Sequence, residues 1–563
     1  MLVKYKIQSR HFQYLVLFGI ILSASLIRLK LNFSSPLLPG VNGGYYPVQV
    51  RSLLESGHLA IEDLPLVFWF EAGLAWFIDL FNSTRHSGII VASKIIDSIL
   101  PPLTAVPAFY LVKHFWNKRL SLAPVLLIAF SILYFPSIFL LTGEMHKNAI
   151  GLLMVILFLL SIATWDSNKK LKSVSFTVLS LTLCLLTHFG SILLVLIFAL
   201  ILFLLSKNWK QLIIGFFGLG FIAVLIYWLI PGRFERISEL LFSPISLFDQ
   251  PLLFYLLKGQ KVLTPALTLM LIITHTFAIV TVIISSYYKN VLDNNKFRLA
   301  MASSITALIF STPLIGTEWA LRLVMMAHIP LILSWAVLLP VLSNKSQQWL
   351  SSFLIITLAL SIFAATTGNR PSSIHPDALS ELHEMDQVLQ INDDDLVLAR
   401  HGLEWWTAWA LNCKIAQTHM METSLFSNYR RIYLLNQHYR PNKQYHRGQV
   451  QFEEPPAPPG SEIAWQGSYF TLIYLPDPPA GTPDIAEKAL AAGKLISTPE
   501  GEIQITNNTF TNPLILPTDE LKTQARQLQQ QNIPVRIYGT KKAFSLKIKV
   551  KKIKSHPSTI PNN

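Results

Sequence analysis

The sequence predicts a mainly α, polytopic helical membrane domain of about 11 spans, followed by a small extracytoplasmic α/β domain. Three observations predict it. Hydrophobic residues make up 52% of the chain against 14% charged, and mean hydropathy is +0.43, a balance that a soluble chain of 563 residues would not tolerate. Eleven segments approach the ~20 mainly apolar residues that a bilayer crossing requires. After residue 368 the long apolar runs stop, and short strand-like and helical runs alternate.

Taken in order, the first span (12–31) follows Lys4, Lys6 and Arg10. It has the length of a full crossing and no small-residue cleavage motif behind it, so it reads as an uncleaved first helix. A long external loop, 32–88, comes next and opens with PGVNGGYYPVQV, residues 39–50. Its two glycines permit tight turns, and its tyrosines suit a membrane surface or a sugar face. Within the same loop, residues 66–81 are apolar but short. They carry Glu71 and Asp79, whose spacing places both near one helical face. Charge at mid-membrane is costly, so this segment is expected as an interfacial amphipathic helix.

The remaining spans are expected at 89–112, 121–141, 148–165, 172–187, 190–206, 211–230, 265–286, 299–315, 323–343 and 349–367. With the N-terminus cytoplasmic, one side of the membrane receives Lys113/Lys118/Arg119, Lys169/Lys170/Lys172, Lys207/Lys210, Lys289/Lys296/Arg298 and Lys345. This satisfies the positive-inside rule, whereas counting 66–81 as a span would place most of these clusters outside. The net charge of +14 is thereby accounted for by topology, and no nucleic-acid partner is expected. The chain divides into a transmembrane domain, 1–368, and an extracytoplasmic domain, 369–563. A second external loop runs from Pro231 to Thr264.

In the tail, strands are expected at Leu396–Ala399, Arg431–Leu435, Phe470–Leu475 and Val535–Tyr538, with helices at Trp405–Lys414 and Glu520–Gln530. EPPAPPG (454–460) and PDPPAGTP (476–483) are expected turns. The lysine-rich run 541–554 alternates like a strand and suits anionic lipid, glycan or solvent. Cys184 and Cys413 fall in different media, so no disulfide is expected.

Polar residues on the external side gather in four places. They are residues 41–65, with Asn42, Tyr45, Tyr46, Arg51, Glu55, His58, Glu62 and Asp63; TGEMHKN at 142–148; Thr187–His188; and TEWALR at 317–322. A plain span junction needs no cluster such as Glu144, His146 and Lys147, so TGEMHKN is the most informative of them.

This order of features resembles the GT-C glycosyltransferase superfamily, which includes the oligosaccharyltransferase catalytic subunit, the protein mannosyltransferases and the lipid A aminoarabinose transferases. The likeness rests on the long first loop with its interfacial helix (DLPLVFWFEAGLAWF, 63–77) and on the second span (ASKIIDSILPPLTAVPAFYLVKHFW, 92–116). It continues through TGEMHKN and RLVMMAHIPLILSWA (322–336), covering about the first 340 residues. The resemblance implies sugar transfer from a polyprenyl-phosphate-linked donor to an extracytoplasmic lipid, glycan or protein acceptor. It further implies a cell inner membrane and, in some members, a divalent cation (Mg or Mn). By position it makes Glu144 the second acidic site and the possible metal ligand. At the first acidic site this chain carries Asn42, and an amide cannot take a proton at neutral pH. Asp63, Glu62 or Glu55 is then the base, or the chain is not catalytic in the usual way.

A departing phosphate needs positive charge, for which Arg322, Lys147 and the pair Arg28/Lys30 are candidates. Arg28 and Lys30 equally suit snorkelling to headgroups. Asn42, Tyr45, Tyr46, Arg51, His146 and His188 are candidate substrate contacts, with capping the alternative for His188. Trp405, Trp406 and Trp409 suit a sugar platform, core packing, or docking onto the membrane domain. A non-catalytic glycolipid-binding relative and a transporter or flippase stand as alternatives. The one-sided polar clusters and the lack of paired halves speak against transport.

Overall fold

The computed structural model describes residues 10–81, 88–116, 120–206, 251–258, 263–392, 394–418, 423–438 and 457–479, with a few isolated positions besides. The expected span 211–230, most of the loop 231–264, the expected elements 520–530 and 535–538, and the basic run 541–554 lie outside the described residues.

Among the described residues, nine helices are long and apolar enough to cross a membrane: His11–Asn32, Ile89–Phe115, Leu122–Leu140, His146–Ala163, Lys170–Thr187, Phe189–Ser206, Pro265–Asn290, Trp319–Val341 and Asn344–Thr367. We label the helices α1 (Arg10–Asn32), α2 (Tyr45–Ser56), α3 (Leu66–Asp79), α4 (Ile89–Ile99), α5 (Ala105–Phe115), α6 (Leu122–Leu133), α7 (His146–Ala163), α8 (Lys170–Thr187) and α9 (Phe189–Ser206). They continue with α10 (Pro265–Tyr287), α11 (Asn294–Ser311), α12 (Thr317–Val324), α13 (His328–Leu338), α14 (Asn344–Thr367), α15 (Pro376–Leu389) and α16 (Glu404–Leu411). Prolines shape the crossings. Pro101 and Pro102 open a 3₁₀ turn that separates α4 from α5, and Pro136 begins a π turn at the end of the α6 crossing.

The segment expected as a span at 299–315 is α11, which is more polar than its neighbours. It packs against α9, α10 and α13, so its hydroxyls meet protein and not lipid. Ser303 and Ser304 bond Ser334 at 2.7 and 3.0 Å, and Ser285 lies 3.3 Å from Ser304. Such bonds between helices hold a bundle where no hydrophobic force separates helix from lipid. α3 is a 14-residue helix, too short to span, with Trp69, Trp76 and Phe77 exposed. Its acids do not both face an interface, however. Glu71 is fully buried.

The last long helix ends at Thr367. Beyond it, strands β1 (Asp395–Ala399), β2 (Lys414–Gln417), β3 (Arg431–Gln437), β4 (Glu462–Gln466) and β5 (Phe470–Leu475) form one sheet in the order β2-β1-β3-β5-β4. β1 is parallel to both β2 and β3, while β5 runs antiparallel to β3 and β4. The helix α16 makes the crossover from β1 to β2 that a parallel pair requires. The interior strand β1 is buried throughout. β2 and β4 were not expected from the sequence: both are short edge strands with exposed or half-buried residues. A single apolar core joins this region to the first long loop, since Tyr45, Tyr46 and Phe68 pack in one cluster with Leu382, Val397, Trp406 and Phe470.

Candidate functional site

The polar groups of interest collect around the loop that leads into α2. Gly40 has φ +81°, and a Cβ there would lie 2.6 Å from the Glu144 side chain, so glycine is required on both counts. The Gly40 N–H donates to Pro371 O at 2.9 Å, and Gly40 bridges in parallel to Ser372. The loop is thus strapped to the segment that follows the last span. The Tyr45 N–H then donates to Asn42 O at 3.1 Å as α2 begins.

Tyr45 donates its hydroxyl to Asp63 Oδ2, which also receives the Lys147 ammonium. Asp63 Oδ1 accepts the Leu64 N–H at 2.7 Å. Gln49 braces the arrangement, bonding Tyr45 Oη and exchanging two bonds with the Ile61 backbone. Asp63 is buried, and the Lys147 side chain retains 16% exposure. Glu62, one residue earlier, and Glu55 are exposed, so Asp63 is the acid that the fold turns inward. Both its oxygens are committed to protein donors, which weakens the expectation that it serves as the base.

Tyr46 stacks on His146 with ring centroids 3.8 Å apart and an interplanar angle of 17°. His146 Nδ1 lies 2.6 Å from Glu71 Oε1, and Ser93 Oγ donates to Glu71 Oε2 at 2.9 Å. Burial, then the nearby Glu71 charge, pushes the Tyr46 phenol well above its ordinary range. Tyr46 and His146, expected to touch substrate, instead form a buried wall. His146 Nε2 is buried without a hydrogen-bond partner among the described residues.

Glu144, also buried, pairs with Arg370 Nη2 at 2.7 Å, and the same guanidinium donates to the Phe139 and Leu140 carbonyls. Arg370 therefore stands where the sequence suggested a metal for Glu144. Among the described residues no group of three or more His, Cys, Asp or Glu side chains is close enough to hold a metal ion. The residues do not fit the expected cation. Behind this pair, Asp97 Oδ2 accepts the Gly143 N–H at 2.8 Å and the Asn32 amide at 2.8 Å, while Oδ1 accepts Arg28 Nη2 at 2.6 Å. Arg28 is 1% exposed, so it neither snorkels nor clamps a ligand. It neutralises Asp97 and so fixes the loop carrying Glu144. Lys30 donates to Thr366 O.

Other expected contacts lie elsewhere. Arg51 donates to the carbonyls of Ala408 and Trp409 at 2.9 and 2.7 Å and lies over the Trp409 ring, so it docks α16 and is not placed to hold substrate. The last carbonyls of a helix form the negative end of its dipole and retain spare acceptor capacity, which explains their affinity for a guanidinium. Trp406 is fully buried, and Trp405 meets Tyr45 edge-on at 4.8 Å, so the tryptophans belong to core and docking surface. His188 occupies the turn between α8 and α9, its Nδ1 accepting the Gly190 N–H at 3.1 Å. Arg322 is exposed on α12, and Asn42 is half-buried at the head of the loop.

Sequence reasoning missed three participants. The sequence places Glu71 at the interface, Asp97 inside an apolar span and Arg370 past the last span. A carboxylate within a span demands a partner, and that signal alone pointed to Asp97. An apolar cleft of about 720 Å³, lined by Phe277, Trp335, Trp349 and Phe353 among others, opens between α10, α13 and α14, and none of these ion pairs lines it.

No protein-family model and no curated protein sequence matches the chain. Its fold does have solved counterparts. The apo oligosaccharyltransferase of Archaeoglobus fulgidus superposes with a TM-score of 0.50 at 11% identity, over 75% of this chain and 69% of that one. ArnT from Cupriavidus metallidurans in the apo state covers 83% of this chain and 98% of its own, at 11% identity and a TM-score of 0.40. The chain thus shares its fold with an archaeal oligosaccharyltransferase, one of the proteins the sequence resembles.

Proposed function

We propose that this multi-pass membrane protein transfers a sugar, hexosyl or pentosyl, from a polyprenyl-phosphate-linked donor to a lipid, glycan or protein acceptor. In this reading the site opens on the extracytoplasmic side of the inner membrane, with the N-terminus cytoplasmic and residues 369–563 outside. The observation that carries the proposal is the pair of cations held beside one loop by buried acids, Lys147 on Asp63 and Arg370 on Glu144. The GT-C-like fold supports it. The solved relatives include an oligosaccharyltransferase bound to dolichol-phosphate and an inhibitory peptide, at 14% identity, a TM-score of 0.47, and coverage of 76% of this chain and 70% of that one.

The chemistry follows from charge. Sugar transfer breaks the bond between the anomeric carbon and a phosphate oxygen, so negative charge accumulates on the departing phosphate. Cations already fixed in place stabilise that charge without reorganising at the moment of reaction. Lys147 supplies a point charge and Arg370 a planar fork, and both side chains keep partial exposure, at 16% and 10%. Their carboxylate partners hold them in position. Asp97 and Arg28 set the backbone of the Glu144 loop beneath them.

Purified protein in lipid nanodiscs, given radiolabelled polyprenyl-phosphate sugars and a membrane-lipid and peptide acceptor panel, tests the proposal. Transfer of label is expected. Donor binding without transfer under any condition supports the non-catalytic relative, and neither binding nor transfer refutes both readings.

A further inference from the structure

In the loop, residue 42 is an amide, Glu55 and Glu62 are exposed, and both oxygens of Asp63 are engaged, whereas sugar transfer to a hydroxyl needs an oriented proton acceptor. The C-terminal region carries one. The chain leaves β1 at Ala399 and passes through Arg400 and His401 into α16. Strand order turns back at β1, with the next strand on one side and the following strand on the other. In open sheets of this kind, the carboxyl ends of the strands at such a turn are where ligands bind.

His401 sits at that edge with its side chain 60% exposed. Its Nδ1 lies 3.0 Å from Glu404 Oε1. Glu404 is buried, and it accepts the Gln417 amide at 2.9 Å and the Gly402 N–H besides. Gln417 Nε2 lies 3.1 Å from the same Nδ1, but it already donates to Glu404 Oε1. An ionised carboxylate only accepts hydrogen bonds, so a neutral imidazole bonded to Glu404 carries its proton on Nδ1 and presents Nε2 as its basic nitrogen. A histidine oriented by a buried carboxylate is the arrangement that general bases use.

Its location is what makes the arrangement informative. A Cβ on Gly402 would stand 3.2 Å from Val41 Cγ1, and a Cβ on Gly44 would stand 2.9 Å from the Trp405 backbone. Gly402, between the two members of the His401–Glu404 pair, and Trp405, just after it, therefore rest on the loop that contains Asn42. That loop reaches Glu144 through Gly40 and Asp63 through Tyr45.

We propose that His401, oriented by Glu404, is the general base for a hydroxyl-bearing acceptor, a role that rests on the sugar-transfer reading above. The acceptor O–H bond breaks and its proton passes to His401 Nε2. The oxygen's electron pair forms the new bond to the anomeric carbon, and the bond from that carbon to phosphate breaks, its pair leaving with the polyprenyl phosphate. Glu404 steadies the imidazolium until its proton passes to water.

The test uses the full chain in nanodiscs with the radiolabelled donor and a hydroxyl acceptor. His401→Ala is expected to lower kcat by about 10²–10⁴-fold, the contribution of a positioned base, with KM for the donor unchanged. Added imidazole is expected to restore part of the rate, because it refills the space the side chain vacates. Glu404→Gln is expected to lower kcat with no response to imidazole. An active wild type with an equally active His401→Ala overturns the role of His401 alone, and so does a loss that imidazole does not relieve. A wild type inactive with every donor overturns the sugar-transfer reading and this role with it.

Discussion

Replacing Gly44 with alanine loads the junction between the first long loop and the C-terminal region. The Gly44 backbone is ordinary, with φ −70°, so alanine meets no conformational penalty there. The strain comes from close approach alone. Its Cβ would stand 2.9 Å from Trp405 C and Trp406 N and 3.0 Å from Trp405 Cβ. The first two are backbone atoms, which no rotamer change can move, so α16 must retreat as a unit. Retreat stretches the Tyr45–Trp405 ring contact and the Arg51 bonds to the Ala408 and Trp409 carbonyls. Overpacking of this sort costs about 1–3 kcal/mol, which is about a 5–150-fold fall in the ratio of docked to undocked forms. Hydrogen exchange of α2 and α16, measured in nanodiscs with transfer assayed on the same samples, reads both effects. Exchange in the two helices is expected to quicken by a factor in that range, with the transfer rate falling alongside. Unchanged exchange in both would refute the docking described here.

Further outcomes follow from the buried charges. Glu144→Gln is expected to lower transfer at least tenfold at unchanged expression, since it removes the ionic partner of Arg370; full activity by the nanodisc assay would take Glu144 out of the site. Arg28→Met strands Asp97 in the bundle, and breaking a buried pair costs about 3–5 kcal/mol; thermal unfolding in detergent is expected to show a large loss, much of it recovered in Arg28→Met/Asp97→Leu. In the sheet, burial pushes the Asp395 carboxyl up, but hydrogen bonds and charge from Arg431 and Arg430 bring it below its ordinary 3.8. A depressed carboxyl stabilises the fold above its unfolded value and ceases to do so as pH falls through its folded value. Asp395→Asn is therefore expected to destabilise the C-terminal region by about 2 kcal/mol at neutral pH, on the scale of charge-assisted hydrogen bonds. The difference from wild type should begin to shrink near pH 3.8 and vanish only below the still lower folded value, as followed by tryptophan fluorescence.

How far the sequence spoke depended on the range of the interaction. Apolar runs declare spans locally, and nine of the expected eleven coincide with long apolar helices among the described residues. The α11 segment is another of them, and its serines are tolerated because other helices surround it, a fact of packing that no window of sequence contains. The buried strands β1, β3 and β5 were legible from their β-rich runs, whereas the edge strands β2 and β4 lack that pattern. Sites were harder. Glu71 looked interfacial because its nearest acid, Asp79, shares its helix face, yet its true partners are Ser93 and His146 in other helices. Arg370 gave no signal because its role comes from the chain returning to the loop at Gly40. The glycines of residues 40–44 were legible as a turn. That the turn would touch Glu144, Val41 against Gly402, and Trp405 could only come from the fold.

The central claim is that a lipid-linked phosphate lies against Lys147 and Arg370 beside the loop at residues 40–46. A photoreactive polyprenyl phosphate cross-linked to the purified protein, with the labelled peptides identified by mass spectrometry, tests it most directly. Labelling within residues 40–63, 144–147 or 370–372, lost when unlabelled polyprenyl phosphate competes, is the predicted result. Competable labelling confined to the apolar cleft around Trp335 and Trp349, with none at the ion pairs, would contradict it.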